Sequence, residues 1–297
     1  MTGPGPLTLA GAATTAYMAG LRHAFDADHL CGIDNAARKF VGEGRRPVSV
    51  GLAFSLGHSS VVFLVSIAVA AGISVVSDIL TQDNVTSAAL GTIGGLVAGG
   101  FLLLIGLFNL VSLTRSNSRH HTDGDGERAT TVVSRLMSAP LQKVSYPSHL
   151  FVVGFAFGLG FDTATLIGLL VLTATAAASG IAVVSVLALP VCFAAAMTLG
   201  DTFNGLFMLR LYARANDPRQ ASRRLNVAIT SLSVLTALTV AAIVLVATLR
   251  EAAGWADPVT KWIAALDLEI VGYAVLAVFA VAAIGSLSAA RHRRESV

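Results

Sequence analysis

Seven stretches of the chain are apolar over lengths that would carry a helix across a lipid bilayer. A spanning helix needs about 20 mostly apolar residues, and runs such as 240–248 lack the alternation of membrane β-barrel strands. Only 12% of the 297 residues are charged, about half the share in soluble proteins, which excludes a water-soluble enzyme. The sequence predicts an all-α integral membrane protein with helices over about 7–35, 48–76, 88–113, 148–177, 181–210, 226–249 and 269–290.

Basic residues are concentrated after alternate segments of this series. The stretches that follow the first, third, fifth and seventh segments hold 17 of the 20 Lys and Arg residues, whereas the other connections hold Arg250 and Lys261. Because cytoplasmic loops carry an excess of Lys and Arg, this pattern predicts an N-terminus outside and a C-terminus in the cytoplasm. The first positive charge is Arg22, so no cleavable signal peptide is predicted. The expected location is the cytoplasmic membrane, crossed several times.

Ionisable side chains inside the predicted helices fall into four short clusters. Such residues are costly in a bilayer and are usually functional. Four of them lie within seven residues of the first segment, which would be a poor way to hold helices together. The clusters contain His23, Asp26, Asp28 and His29 in the first segment, His58 and Ser59 in the second, Asp162 and Thr163 in the fourth, and Asp201, Thr202 and Asn204 in the fifth.

Three imidazoles and four carboxylates make a ligand set of nitrogen and oxygen atoms. Imidazole suits nickel, cobalt, zinc, copper or iron, whereas magnesium and calcium prefer oxygen ligands alone. On an ideal helix His23, Asp26 and His29 share one broad face, while Asp28 points away from His23. Either Asp28 orients other ligands, or the helix unwinds locally and backbone groups join the site. The sequence predicts a metal site formed by His23, Asp26, Asp28, His29 and His58.

Two of the clustered residues also have simple structural explanations. Asp201 could pair with Arg22, or form a hydrogen bond with a serine or threonine on a neighbouring helix. His58, next to Ser59 and Ser60, could form a hydrogen bond between helices. For the first cluster as a whole, such an explanation is much weaker.

Two short patterns occur twice in the same order along the chain. Residues 25–30 align with 161–166 through Phe, Asp and Leu, and residues 56–59 align with 199–202 through Leu and Gly. The predicted topology would invert the second copy relative to the first, as in many secondary transporters, where the substrate site lies near the midplane between the halves. The sequence therefore predicts a 3+3 inverted repeat followed by a C-terminal helix.

The whole chain, 1–297, is predicted to form a single membrane domain. Its polar loop is interpreted as a solvated, flexible cytoplasmic segment, with the alternative that His120, His121 and nearby acidic residues gather divalent ions. In order, the parts are repeat one at about 7–113, the loop at about 115–147, repeat two at about 148–249 and the last helix at about 269–290.

Four motifs resemble those of the nickel/cobalt transporter family of membrane permeases. The sequence RHAFDADH at 22–29 is similar to the family's signature helix, which has the pattern H-x4-D-H. LGHSS at 56–60, LGFDTAT at 159–165 and MTLGDT at 197–202 resemble the second, third and fourth family motifs, in family order. The resemblance implies a secondary transporter for Ni²⁺ or Co²⁺ that works in uptake, with Asp162, Thr163, Asp201, Thr202, Ser59 and Asn204 supporting the ion path.

The chain departs from the family pattern in three respects. Members have a further helix before the signature helix, which here lies on the first of seven predicted spans. The third motif usually ends in Glu where this chain has Leu166, and the fourth usually continues to a second acidic residue where this chain has Asn204. Restoring an acid at either position is expected to tighten metal binding without raising maximal transport, unless the position is merely apolar packing.

Other functions use the same residues differently. In an intramembrane metalloenzyme, His23, His29 and His58 would hold a catalytic metal and Asp162 would act as a base; an effluxer would move the metal outward. A sensor is a weaker interpretation, because no soluble domain is visible. No G-x-x-x-x-G-K-[ST] motif occurs, so a carrier without an ATPase subunit is expected. The expected partners are the metal substrate and the bilayer, with no cofactor and no nucleic acid; the oligomeric state is not predicted.

Overall fold

The computed structural model describes residues 6–71, 85–118, 146–159, 164–215 and 223–295. Within these ranges the regular structure is entirely α-helical, as the sequence predicts. The helices are α1 (Pro6–His23), α2 (Ala27–Gly42), α3 (Val50–Ala70), α4 (Val85–Ser118), α5 (His149–Gly158), α6 (Ala164–Ala178), α7 (Val183–Val186), α8 (Ala188–Ala215), α9 (Arg223–Ala253), α10 (Pro258–Ala264) and α11 (Leu268–Glu295).

Several of these helices are long and apolar enough to cross a bilayer. In the part of the chain that is described, five stretches meet this condition: Val50–Ala70, Gly91–Val111, Val183–Arg214, Val227–Ala253 and Leu268–Gly285. The chain is therefore a multi-pass membrane protein. The predicted segments 7–35 and 148–177 are each divided into two shorter helices. The count of seven spans and the inverted repeat stay predictions.

The first predicted segment breaks in the middle of its cluster of ionisable residues. Helix α1 ends at His23, and α2 begins at Ala27 after a turn. The amide of Phe25 donates to the Arg22 carbonyl and that of Asp26 donates to the His23 carbonyl, both at 3.0 Å. Asp26 then has an extended ψ of 141°, which ends the helical path. The local break agrees with one of the two alternatives for this segment; that backbone groups join the site stays a prediction.

Helix α8 lies at the centre of the described helices and packs against α1, α2 and α3. Its contact with α3 is close because Gly51 has no side chain: a Cβ there would overlap the carbonyl of Asp201. Helices α3 and α5 approach through Gly57 and Gly154, where a Cβ would overlap the carbonyls of Phe151 and Phe54 respectively. Small residues allow such approach between membrane helices. The result is that α2, α3 and α8 surround one small volume.

A buried polar network joins four helices on the later turns of α2. The carboxylate of Asp34 accepts hydrogen bonds from the hydroxyls of Tyr212 and Ser233. The neighbouring Asn35 accepts one from the Nδ2 group of Asn109 at 2.6 Å. All five side chains are nearly inaccessible to solvent. Because buried polar groups are costly without partners, this network holds α2 in a defined position against α4, α8 and α9.

Some predicted features lie outside the described residues. They include most of the loop at 115–147, with the alternative metal-gathering group of His120, His121, Asp123, Asp125 and Glu127. The predicted site residues Asp162 and Thr163 are also outside the described ranges.

Candidate metal centre

Three histidines meet where α1 ends, α2 begins and α3 passes alongside. His23 is the last residue of α1, His29 lies in the first turn of α2, and His58 lies in the middle of α3. Each offers one ring nitrogen, and these nitrogens lie within 4.8 Å of one another. Two nitrogen ligands at about 2.1 Å from a divalent ion are at most about 4.2 Å apart. After small side-chain rotations, the three nitrogen atoms could hold one ion.

The helix break is what brings His23 to the other two histidines. The Nδ1 atom of His23 lies 2.7 Å from Oδ2 of Asp26, so it donates to a carboxylate on the other side of the break. Its Nε2 atom then faces Nε2 of His58 at 3.2 Å. A carboxylate that accepts from one ring nitrogen orients the other nitrogen toward a metal. Asp26 thus orients His23.

A second carboxylate stands behind His29. The Nδ1 atom of His29 lies 3.3 Å from Oδ2 of Asp201 on α8, and both side chains are fully buried. Asp201 therefore orients the imidazole of His29 in the same way that Asp26 orients that of His23. The alternative in which Asp201 pairs with Arg22 is wrong, because Arg22 forms its ion pair with Glu269 on α11.

Several buried polar atoms around the histidines have no hydrogen-bond partner among the described residues. They are His29 Nε2, His58 Nδ1, Ser59 Oγ, Asp201 Oδ1 and both amide atoms of Asn204. A buried polar group without a partner costs about 1–3 kcal/mol, so unpartnered groups are rare in folded proteins. Of these atoms, His29 Nε2, His58 Nδ1 and Asp201 Oδ1 belong to side chains that contact one another, which is the arrangement expected where a dehydrated ion binds and supplies the missing partner.

Asp28, which the sequence places among the metal ligands, has a local role in this structure. Its Oδ1 atom accepts a hydrogen bond at 2.9 Å from the backbone amide of His29, close to the start of α2. A carboxylate in the first turn of a helix is stabilised by the helix dipole. The group of nitrogen atoms that could hold one ion consists of His23, His29 and His58. Asp28 lies beside this group, and Thr202 is half-buried on α8.

Two sides of the site are closed by aromatic rings, which the sequence alone does not single out. Phe54 on α3 meets the ring of His29 edge to face, with centroids 5.1 Å apart. Phe193 on α8 lies 5.6 Å from the ring of His23. Both phenylalanines are fully buried, so they keep water from the histidines on these sides. Their signal in the sequence is weak because phenylalanine is common in any apolar helix.

Leu166 belongs to apolar packing. It is fully buried in one cluster with Val62, Phe193 and Met197. Asn204, by contrast, is a buried polar side chain on the same helix as Asp201, three residues further along. The two positions that depart from the family pattern therefore have different surroundings, and the packing interpretation applies to Leu166.

Comparison with known proteins gives a consistent result over nearly the whole chain. The family profile NicO, described as high-affinity nickel-transport protein, matches residues 9–289. The nickel transporter NicT of Mycobacterium tuberculosis is 40% identical over 91% of this chain and 76% of its own length. The high-affinity nickel-transport protein NixA of Helicobacter pylori strain J99 is 37% identical over 93% of this chain and 86% of its own length. The cobalt transport protein NhlF of Rhodococcus rhodochrous is 35% identical over 94% of this chain and 82% of its own length.

No solved structure matches the chain. The family profile covers almost its full length, and relatives above 30% identity cover most of it from end to end. The four short motifs are thus part of a similarity that extends through every described helix. The chain belongs to the NicO family of high-affinity nickel-transport proteins.

Proposed function

We propose that this protein carries nickel or cobalt ions into the cell across the cytoplasmic membrane, and that the ion binds between His23, His29 and His58. The observation that carries the proposal is the group of three buried histidines whose ring nitrogens lie within 4.8 Å of one another. Relatives named as nickel and cobalt transporters support the choice of substrate. The membership in a transport family argues against the alternative of a metalloenzyme.

The chemistry of the donor atoms explains how such a site would select its substrate. Imidazole nitrogen favours nickel, cobalt and their neighbours over magnesium and calcium, which prefer oxygen ligands. The ion would lose part of its water shell on entering a space walled by Phe54 and Phe193. The carboxylates of Asp26 and Asp201 supply negative charge directly behind two of the histidines. Binding would thus be strong enough to compensate for dehydration.

The same arrangement allows release. An imidazole binds a metal in its neutral form, so the three proposed ligands add no negative charge of their own, and the carboxylates act through them. A carrier needs an ion that enters and also leaves. Asp201 and Asn204, one turn apart on α8, would offer the next oxygen atoms along the path, and we also assign the buried Ser59 of α3 to it. Asp28, Thr202, Asp162 and Thr163 complete the set that we assign to the supporting path.

Uptake of radioactive nickel and cobalt by the full chain in liposomes tests this function. We expect saturable uptake of one or both ions, inhibited by the other and little affected by excess magnesium or calcium. Liposomes loaded with metal and diluted into metal-free buffer provide the comparison with efflux. Uptake no greater than in protein-free liposomes would reject the proposed function, and transport only outward would favour the effluxer.

The topology can be tested by reporter fusions. The distribution of Lys and Arg leads us to expect the C-terminus and the loop at 115–147 in the cytoplasm, and the N-terminus outside. A reporter active only in the cytoplasm should therefore give signal from the loop and the C-terminus and none from the N-terminus. If all three positions gave cytoplasmic signal, the number of spans would be even, and the proposed inverted repeat would be lost.

The two departures from the family pattern should respond differently to an added acid. Asn204→Asp places a carboxylate beside Asp201, so we expect tighter metal binding and an unchanged or lower maximal uptake rate. Leu166→Glu places a carboxylate in an apolar cluster, so we expect a lower melting temperature in detergent. Equilibrium affinity, initial uptake rate and melting temperature are measured for both variants. Unchanged affinity in a folded Asn204→Asp protein would remove this position from the ion path.

A further inference from the structure

The first two turns of α11 are built against the break in the first membrane segment. Gly272 of α11 packs directly against the turn between α1 and α2. A Cβ atom at this position would overlap the carbonyl of Phe25 and lie 3.0 Å from the amide nitrogen of Ala27. The ring of Tyr273 is 6.1 Å from that of Phe25. This helix lies outside the predicted repeat and contributes none of the three histidines. Its contact is with the turn that positions them.

The same part of α11 holds a buried acid against a cation of α1. Glu269 is only 8% exposed, and its carboxylate accepts from the guanidinium of Arg22 through Oε2 and from the hydroxyl of Tyr273 through Oε1 at 3.0 Å. Its own amide donates to the Asp267 carboxylate at 2.9 Å. The position of Glu269 is therefore determined on both sides, by the start of its helix and by the arginine.

Arg22 would oppose metal binding if it had no counter-charge. It directly precedes His23, and a guanidinium keeps its charge at any physiological pH. A fixed positive charge next to a site for a divalent cation lowers the affinity of the site, and because the Arg22 side chain is 57% exposed, water screens part of this effect. The Glu269 carboxylate cancels this charge and holds the guanidinium toward α11.

We propose that Glu269 is a positioning residue of the metal site that neutralises Arg22 next to His23, while Gly272 packs α11 against the helix break that presents His23 and His29. This role rests on the proposed metal site. It adds helix α11 to the site, although α11 contributes none of the proposed metal ligands. It also explains why an acidic residue occurs in the first turn of a helix that has no other charged residue before Arg291. The nearby Asp267 serves as the cap of that helix.

A charge cycle on the full-length protein tests this role. Glu269→Gln keeps the shape of the side chain and removes its charge, so we expect nickel affinity to fall by about threefold, since water screens part of the exposed Arg22 charge. Arg22→Gln alone should leave affinity equal or higher, and the double variant Arg22→Gln with Glu269→Gln should return it close to wild type. Nickel binding is measured by calorimetry in detergent, next to the melting temperature. Glu251→Gln, at an exposed acid of α9, is the matched control.

The outcomes separate this role from a merely structural one. If the ion pair only stabilised the fold, the double variant would bind no better than Glu269→Gln, and the proposal would be overturned. Wild-type affinity in a folded Glu269→Gln protein would overturn it as well. If the wild-type protein bound no nickel or cobalt, the proposed metal site itself would fail, which is a different result from these two.

The packing of α11 has its own matched pair of variants. Gly272→Ala should weaken nickel binding although every charge is retained, because the added methyl group displaces the turn between α1 and α2. Gly285→Ala on the same helix adds a methyl group where no atom of another described element lies within 4 Å, so its affinity should be that of the wild type. Equal affinities in the two variants would show that α11 does not position the site.

Discussion

Replacing His29 with alanine is expected to abolish nickel or cobalt uptake and to weaken metal binding at least about 100-fold. The reason is that the variant loses one of the three imidazole ligands proposed for the ion. His29 has no solvent exposure. Its Nε2 atom has no hydrogen-bond partner within the described part of the chain, and its ring lies 4.7 Å from that of His23 and 4.6 Å from that of His58. With alanine at this position only His23 and His58 remain, and two imidazoles do not hold the ion tightly.

The measurement combines calorimetric binding with initial uptake rate in liposomes. His149→Ala is the matched control: this histidine lies at the start of α5, with its ring 5.6 Å from Tyr146, and it is outside the three-histidine group. We expect that variant to bind and transport normally. A folded His29→Ala protein with wild-type affinity would show that the three histidines do not form the metal site.

Replacing Asp201 with asparagine is expected to weaken metal binding by about 10- to 100-fold, the range found when the partner of a metal-bound histidine is lost. The amide keeps the volume of the carboxylate but removes its charge, and its NH₂ group can no longer accept from Nδ1 of His29. The remaining oxygen of Asp201 also has no partner in the described residues, so any direct bond from it to the ion would be weakened too.

Asp257→Asn provides the comparison for this change. Asp257 precedes α10 and accepts from the amide of Thr260 at 2.9 Å, a role that asparagine fills equally well. We expect this control to match the wild type in affinity, uptake and melting temperature. Should Asp201→Asn bind metal as the wild type does, His29 would not depend on the carboxylate of Asp201.

The two carboxylate–histidine pairs come from distant parts of the sequence. Asp26 orients His23 across a turn of four residues, whereas Asp201 reaches His29 from a helix 172 residues away. In the proposed repeat, the second pair joins the two halves. A movement of one half relative to the other would then change the site, which is the behaviour expected of an alternating-access carrier.

Much of the fold could be predicted because a helix that crosses a bilayer needs about 20 mostly apolar residues in a row. The predicted helix at 48–76 is observed as Val50–Ala70, and the one at 269–290 is observed within Leu268–Glu295. Both follow from the length of apolar sequence alone. The interruption of the segment at 7–35 was an open alternative, because periodicity does not state whether a helix with several polar residues bends, breaks or continues.

The site was predictable in its residue types and less so in its arrangement. His23, His29 and His58 were predicted as metal ligands because imidazoles are rare inside membranes, and the structure brings them together. Asp28 was assigned to the same set because it lies in the cluster and in the family motif; its carboxylate accepts from the His29 amide in the first turn of α2, and its place among the ligands stays a prediction. Leu166 was a possible ion-path position through the family pattern, but it lies in apolar packing.

The sequence by itself determined that the chain lies in a membrane, where its helices run and which polar residues would have to be shielded there, because each of these follows from the cost of placing a side chain in lipid. Only the tertiary structure decided which of these residues meet. Arg22 pairs with Glu269 rather than Asp201, although 247 residues separate the two partners. Phe54 and Phe193 wall the site, and Gly272 lies against the helix break. Contacts between distant helices depend on crossing angle and side-chain volume, and one sequence read along its length does not contain these.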